Sequence, residues 1–114
     1  NSPLVSNMQL YVIDNEARLI CANKISGEIY WITQLEKNKN GRKNSKSNNW
    51  KGPYLINGIL YALSSHGEVV SISPLTSEIL SNKNINISGI AIDPVITSKN
   101  IFIADNKSNI YKLD

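Results

Sequence analysis

The amino-acid sequence predicts an all-β protein made of one repeated unit of four short antiparallel strands. The first observation is that residues 51–80 align without a gap onto the segment 50 positions earlier, and residues 50–73 onto the segment 41 positions later. The second is that short runs rich in Ile, Val, Leu and Tyr alternate with Asn, Asp, Ser and Gly, which is typical of strands in a meander. The third is that no window keeps the 3.6-residue apolar period of a helix.

The two alignments superimpose residues of the same character. The shift of 50 places Pro53 on Pro3, Leu60 on Leu10 and Tyr61 on Tyr11. The shift of 41 places the same three residues on Pro94, Ile101 and Phe102. Internal repeats of about 40 to 50 residues are typical of solenoids, propellers and arrays, in which each unit buries its apolar face against the next.

Strand boundaries follow from the positions of the turn residues. The first repeat predicts strands at 3–5, 10–13, 18–22 and 29–32. The second predicts strands at 54–56, 59–63, 69–72 and 78–80, with tight turns at Asn57-Gly58 and His66-Gly67. The third predicts only three strands, at 89–96, 101–104 and 110–113.

A four-stranded antiparallel unit repeated around an axis is a β-propeller blade, and propellers close with about four to eight blades. We therefore predict a partial propeller of about 2.7 blades. Its predicted parts are a blade at 3–35, a basic insertion at 36–49, a blade at 50–82 and an incomplete blade at 89–114. We expect the fourth strand of the last blade to come from sequence outside these residues or from another chain. Open strand edges favour self-association of the isolated chain.

The net charge of +3 is concentrated in the insertion, which has no apolar residue between positions 36 and 49. Residues 37–51 carry six cations and no acid, so the rest of the chain carries −3. Such a segment favours electrostatic docking to an anionic partner or lipid surface, or else it is only a solvated loop. No basic stripe with interleaved aromatics indicates nucleic-acid binding. The candidate docking residues are Lys37, Lys39, Arg42, Lys43 and Lys46.

Several function classes find no support in the sequence. No apolar run approaches the ~20 residues that span a bilayer, so a soluble globular chain is predicted. Cys21, the only cysteine, lies in an apolar strand pattern and is interpreted as a small buried residue. His66, the only histidine, is interpreted as a structural turn residue. No cofactor, metal or catalytic site is predicted.

The segment C-A-N-K-I-S-G-E-I-Y-W, residues 21–31, resembles the A-L-D-A-x-T-G-x-x-x-W signature of quinoprotein-like propeller repeats. Gly27 and Trp31 occupy the diagnostic positions, where the family's Trp packs against the next blade. The corresponding segment of the second repeat is degenerate, since Ser77 stands at the position of Gly and Ser81 at that of Trp.

A longer stretch resembles the C-terminal blades of BamB-type outer-membrane protein assembly factors. Its more specific parts are W-I-T-Q-L at 31–35 and W-K-G-P at 50–53, which follows the charged insertion. The resemblance covers essentially the whole chain and implies a fragment of an eight-bladed propeller. It assigns structural, blade-locking roles to Gly27, Trp31, Trp50, Gly52 and Pro53.

The resemblance also implies a biological setting. Family members are periplasmic lipoproteins at the inner face of the outer membrane, and they are non-catalytic scaffolds of the machinery that inserts β-barrel proteins. The implied partner is the set of periplasmic repeats of the barrel-forming subunit, and the only membrane association is through a lipid anchor outside this chain. Two alternatives stay open: part of a quinone-dependent dehydrogenase, although the nine acids are scattered, and a protein-binding propeller unrelated to the outer membrane.

Overall fold

A computed structural model describes residues 3–37, 48–84, 95–97, 100–104 and 110–113 of the chain. These residues form three antiparallel sheets and no helix, which confirms the predicted all-β fold of four-stranded blades. The first blade contains β1 (Leu4–Ser6), β2 (Gln9–Ile13), β3 (Arg18–Asn23) and β4 (Ile29–Gln34). The second blade contains β5 (Trp50–Ile56), β6 (Ile59–Ser64), β7 (Glu68–Ile72) and β8 (Ile79–Asn84). The third sheet contains β9 (Val95–Ile96), β10 (Ile101–Ala104) and β11 (Ile110–Leu113), with β10 in the middle.

Two strands of the second blade extend four residues beyond their predicted bounds. β5 begins at Trp50 and not at residue 54, because a β-bulge between Lys51 and Tyr54 takes Gly52 and Pro53 out of the pairing with β6. β8 continues to Asn84, where it pairs with Glu68 of β7. An outer strand needs only backbone partners on one side, so the polar residues after position 80 do not end it.

Each blade has two faces, because successive side chains of a strand point to opposite sides of the sheet. In the first blade, we call front face the side that packs on the second blade, and back face the other side. Strand register and packing assign the front face to Leu4, Tyr11, Ile13, Leu19, Cys21, Trp31 and Thr33. The same register assigns the back face to Val5, Leu10, Val12, Ile20, Ala22 and Ile32.

The main core lies between the first two blades. Side chains of the front face of the first blade pack against the back face of the second, which contributes Leu60, Ala62, Val70 and Ile72. All four side chains are fully or almost fully buried. Among the described residues, a second cluster joins Ile56, Leu63 and Val69 of the second blade to Ile101 of β10. The sheets therefore stack in chain order, each back face meeting the front face of the preceding sheet.

The turns before β4 and β8 are built alike, although their sequences differ. In the first, the amide of Gly27 donates to the Asn23 carbonyl at 2.9 Å; in the second, the amide of Ser77 donates to the Ser73 carbonyl at 2.9 Å. Gly27 has a φ of +77° and Ser77 a φ of +68°. Ser77 therefore keeps the left-handed backbone conformation that the repeat requires, without the glycine that adopts it at no steric cost.

Exchanging the residues at these two turns tests that cost. Ser77→Gly is expected to raise the free energy of unfolding by about 0.5 kcal/mol, because relief of the left-handed strain exceeds the added freedom of the unfolded chain. Gly27→Ser is expected to lower it by about 1 kcal/mol. No heavy atom lies within 4 Å of a Cβ built on Gly27, so this change tests backbone conformation alone. Urea unfolding measures both values, and shifts of the same sign would contradict the equivalence of the turns.

Candidate functional site

The seam between the first two blades is the candidate site, and Trp31 lies at its centre. Its ring is half-buried against the main core and lies 6.1 Å from the Tyr11 ring, centroid to centroid, at an interplanar angle of 46°. Its indole Nε1 donates a hydrogen bond of 3.1 Å to the Pro74 carbonyl in the turn before β8. One side chain therefore supplies both apolar contact and a directed bond from one blade to the next.

A second hydrogen bond crosses the same seam two residues further along β4. The Thr33 hydroxyl donates to the Ser77 carbonyl at 2.8 Å. Residues two apart on a strand share a face, so Trp31 and Thr33 reach the same turn of the second blade. The resemblance identified Trp31 but missed Thr33, although the W-x-T spacing was visible in the W-I-T-Q-L segment.

Trp50 lies in the same core, and its hydrogen bond is to the segment that joins the two blades. Its side chain is buried, with 6% exposed, and its Nε1 donates to the Glu36 carbonyl at 2.9 Å. It is the first residue of β5. The first strand of the second blade is thereby tied to the end of the first blade.

Gly52 and Pro53 occupy the bulge in β5 and not the seam itself. Gly52 has a φ of +116°, and a Cβ there would lie 3.0 Å from the Tyr61 carbonyl oxygen and 3.3 Å from the Tyr54 ring. Any larger residue would therefore displace the β6 backbone. Pro53 is buried and follows a cis peptide bond. Gly27, by contrast, is exposed in its turn and contributes a backbone conformation only.

The base of the basic insertion is ordered, whereas the sequence predicted an exposed segment throughout 36–49. Asn48 is half-buried; its amide donates to the Lys37 carbonyl at 2.9 Å and its side-chain Nδ2 to the Glu36 carbonyl at 3.1 Å. The same Nδ2 lies 3.0 Å from the carboxylate of Glu68, which is only 3% exposed. Composition alone could not show this, because the pairing joins residues 20 positions apart.

Of the five candidate docking cations, only Lys37 lies within the described residues. Its side chain is exposed and forms an ion pair of 3.0 Å with Glu16, an arrangement that contributes little to stability in water. Lys39, Arg42, Lys43 and Lys46 lie outside the described residues.

Cys21 and Tyr11 are paired across β2 and β3 on the front face and are both buried. Burial raises the pKa of the Cys21 thiol above its ordinary value. Burial and the neighbouring Cys21 likewise raise the pKa of the Tyr11 hydroxyl, which donates to Gln9 at 2.7 Å. Both groups therefore stay neutral near pH 7 and serve packing, as the strand pattern predicts for Cys21.

Within the described ranges, no three His, Cys, Asp or Glu side chains are placed to hold a metal ion together. Those ranges also contain no helix of the length and apolarity needed to cross a membrane. His66 lies in the turn between β6 and β7, where its amide donates to the Ser64 hydroxyl at 3.3 Å.

The comparisons with known proteins identify the repeat. The family described as outer membrane protein assembly factor BamB matches residues 1–114. This chain belongs to the BamB family. Among solved structures it is similar to BamB from Moraxella catarrhalis, with a TM-score of 0.72 and 11% sequence identity over 96% of this chain. The similarity spans 30% of the Moraxella chain and at that identity shows the fold alone. No curated protein matches the sequence.

Loss of the Trp31 side chain is expected to weaken the seam between the blades of this BamB-family chain. Trp31→Ala should lower the free energy of unfolding by roughly 3 kcal/mol, because it removes apolar contact and leaves a void in the core. Trp31→Phe should cost less, since it keeps an aromatic ring and loses mainly the hydrogen bond to Pro74. Ile32→Ala, on the exposed side of the same strand, is the matched control and should change stability little. An unchanged melting temperature for Trp31→Ala would disprove the locking role.

Asp14, in the turn between β2 and β3, makes the stability of the chain depend on pH in the acidic range. Partial burial raises the pKa of Asp14, but hydrogen bonds from the Arg18 side chain and from the amides of Arg18 and Glu16 outweigh it, so the pKa is lowered overall. Because the folded pKa lies below the unfolded one, the stabilisation is complete above about pH 4 and is lost as the pH falls through the folded pKa.

Replacement of Asp14 by Asn isolates this charge, since an amide oxygen can still accept both backbone bonds. We expect Asp14→Asn to be less stable than the parent chain at pH 7. The difference should shrink as the pH falls below about 4, where the parent carboxylate is protonated. Urea midpoints at pH 7, 5 and 3 measure it; a difference independent of pH would contradict the ionic role of Asp14.

Proposed function

We propose that this chain is a non-catalytic, protein-binding part of the machinery that assembles β-barrel proteins in the outer membrane. The observation that carries the proposal is the match of the BamB family across residues 1–114. The stacked blades are consistent with it, since they offer a rigid framework for contacts. A propeller fold alone hosts many unrelated functions, so the family and not the architecture supplies the argument.

The proposed partner is the set of periplasmic repeats of the barrel-forming subunit. Two kinds of surface on this chain are suited to a protein partner. One is the outer strand of the first blade, which exposes Ile29, Tyr30 and Ile32 at about half of their surface. The other is the basic insertion, whose cations favour an acidic partner. Clustered exposed apolar side chains often indicate a contact with another molecule.

We propose a periplasmic location at the outer membrane, with attachment by a lipid on a cysteine outside this chain. Cys21 is not suited to lipidation, because it is fully buried in β3.

The proposed blade division is 3–35, 50–82 and 89–114, with the docking insertion at 36–49. The alternative is that this chain is part of a quinone-dependent dehydrogenase. Reduction of a redox dye after addition of quinone and calcium would support that alternative.

Direct binding tests the proposed partner. The purified chain is titrated against the periplasmic repeats of a barrel-forming subunit from the same organism, and against an unrelated periplasmic domain of similar charge. We expect saturable binding to the first and none to the second. Equal binding to both, or to neither, would contradict the proposed role.

The contribution of the basic insertion is measured in the same assay. Reversing three of its charges, with Lys39→Glu, Lys43→Glu and Lys46→Glu, should weaken binding several-fold and flatten its dependence on salt. The matched control reverses two exposed cations elsewhere, Lys24→Glu and Lys83→Glu. If the control variant loses as much affinity, net charge and not the insertion controls binding.

A further inference from the structure

Exposed apolar side chains recur at the 50-residue period of the repeat. Ile25 and Leu75 are 76% and 86% exposed in the turns before β4 and β8. Tyr30 and Leu80, the second residues of those strands, expose about half of their surface. A single exposed apolar residue is ordinary on a protein surface, but exposure at matching positions of two blades forms a patterned apolar surface.

Hydrogen bonds gather three of these side chains at one corner of the seam. The Asn23 side chain accepts from the Ile25 amide at 2.9 Å and donates to the Tyr30 hydroxyl at 2.8 Å. The next residue along β4 is Trp31, whose indole donates to the carbonyl of the residue before Leu75 in the second blade. Ile25, Tyr30 and Leu75 therefore lie on the two sides of one seam, and we call them the corner site.

Both outer strands are irregular at this corner. The pairing of β4 with β3 skips Tyr30, and the pairing of β8 with β7 skips Leu80, because each pair of strands has a β-bulge there. A bulge leaves its extra residue unpaired and disrupts the ladder, which hinders the addition of another strand. A partner at the corner site is therefore recognised through side chains and must satisfy its own backbone groups.

The corner site has an acidic border. Glu28 and Glu78, at the same repeat position, are exposed directly before β4 and β8, and neither forms an ion pair with another described residue. These two turns contain one cation, Lys24. The basic insertion leaves the first blade at its other end, where Lys37 pairs with Glu16. The corner is thus locally acidic in a chain of net charge +3, and it complements basic groups.

We infer that the corner site binds an amphipathic helix of a protein partner, with Lys or Arg beside the apolar face of that helix. Its apolar side chains contact Ile25, Tyr30 and Leu75, and its cations lie near Glu28 and Glu78. A helix satisfies its own backbone groups, whereas an added strand would need the edge that the bulges disrupt. The inference rests on the proposed protein-binding role and not on the identity of the partner.

Spacing across the seam also favours a helix. Stacked sheets lie about 10 Å apart, and residues i and i+7 on one face of a helix are about 10.5 Å apart. On one face of a strand, side chains recur about every 6.6 Å, which does not match that separation. One helix therefore reaches both blades with a single apolar stripe.

Synthetic peptides provide a direct test on the full chain. The probe is a fluorescent peptide of about 18 residues, with Leu at i, i+3, i+4 and i+7 and Lys elsewhere, which is long enough to form a helix. One control peptide has the same residues in alternating order, as a strand face requires, and the other has Glu in place of Lys. We expect the probe to bind saturably and at least about ten-fold more tightly than either control.

The comparison of peptides has two outcomes that would overturn the inference. One is the absence of saturable binding of the probe. The other is equal or tighter binding of the alternating peptide, which would identify a strand as the occupant.

Substitutions at the corner site identify where the probe binds. Ile25→Ser with Leu75→Ser should weaken binding at least about ten-fold, because apolar contact is lost from both blades. The melting temperature should change little, since both side chains are exposed in turns. The matched control is Val5→Ser with Ile32→Ser on the back face of the first blade, where both side chains are about half exposed. A control that loses as much affinity would place the peptide on the back face and overturn the inference.

Charge substitutions test the acidic border. Glu28→Gln with Glu78→Gln should weaken binding of the probe several-fold and flatten its dependence on salt. Glu16→Gln with Glu36→Gln removes two exposed acids at the other end of the first blade and should change the affinity little. Equal effects of the two pairs would mean that net charge, and not the corner site, attracts the peptide, and would contradict the inference.

Two further results separate the inference from a lipid surface and from the proposed partner. Sedimentation with vesicles of phosphatidylcholine and phosphatidylglycerol, if abolished by Ile25→Ser with Leu75→Ser, would identify a lipid surface as the occupant and overturn the inference. The peptide assay contains no barrel-forming subunit, so binding of the probe without binding of the periplasmic repeats would support the inference and contradict that partner. The reverse result would overturn the inference and leave the proposed function intact.

Discussion

The structure depends on one constraint: a four-stranded blade exposes apolar side chains on both faces and is stable only when each face meets another blade. The first two blades make such a contact, in which eleven of the described residues are buried in one continuous core. Burial of apolar surface drives this contact, but the hydrophobic effect is non-directional and does not fix the orientation of the blades. The relative orientation of the two blades is fixed by the hydrogen bonds that Trp31 and Thr33 donate across the seam.

The two seams of this chain differ at the position of Trp31. The first contains Trp31, paired with Cys21 across β3 and β4. At the equivalent place in the second, Ser71 and Ser81 form a hydroxyl pair of 2.6 Å within the sheet. Among the described residues, the apolar contact at the second seam joins Ile56, Leu63 and Val69 to Ile101. Ser81 has no indole N–H to donate, so the bond that Trp31 makes has no equivalent from that position.

Sequence reasoning succeeds where the period of the chain determines the structure. The 50-residue offset predicted both blades, and alternation placed Cys21 in the interior. It failed where partners are distant in the sequence and polar. Asn48 was assigned to an exposed segment because its neighbours are polar, yet it binds the buried Glu68. The β5 bulge was missed because the predicted strand began only at residue 54, whereas a bulge accommodates Pro53, which has no amide to donate.

The turn before β4 and β8 explains how a repeat can lose its signature and keep its geometry. Asn23 caps the first turn by accepting from the amides of Ile25 and Ser26 at 2.9 and 3.0 Å, and Ser73 caps the second by accepting from Thr76 at 3.3 Å. Local side-chain bonds of this kind hold a turn without help from the rest of the fold. Because the carbonyls of residues 74 and 77 face the seam whatever their side chains, the acceptor half of the lock tolerates substitution. The donor half is more demanding, since the Trp31 indole must span the seam to donate to the Pro74 carbonyl. The second blade shows the two halves separately: its turn receives Trp31 without the glycine of the signature, while Ser81 stands at its own donor position.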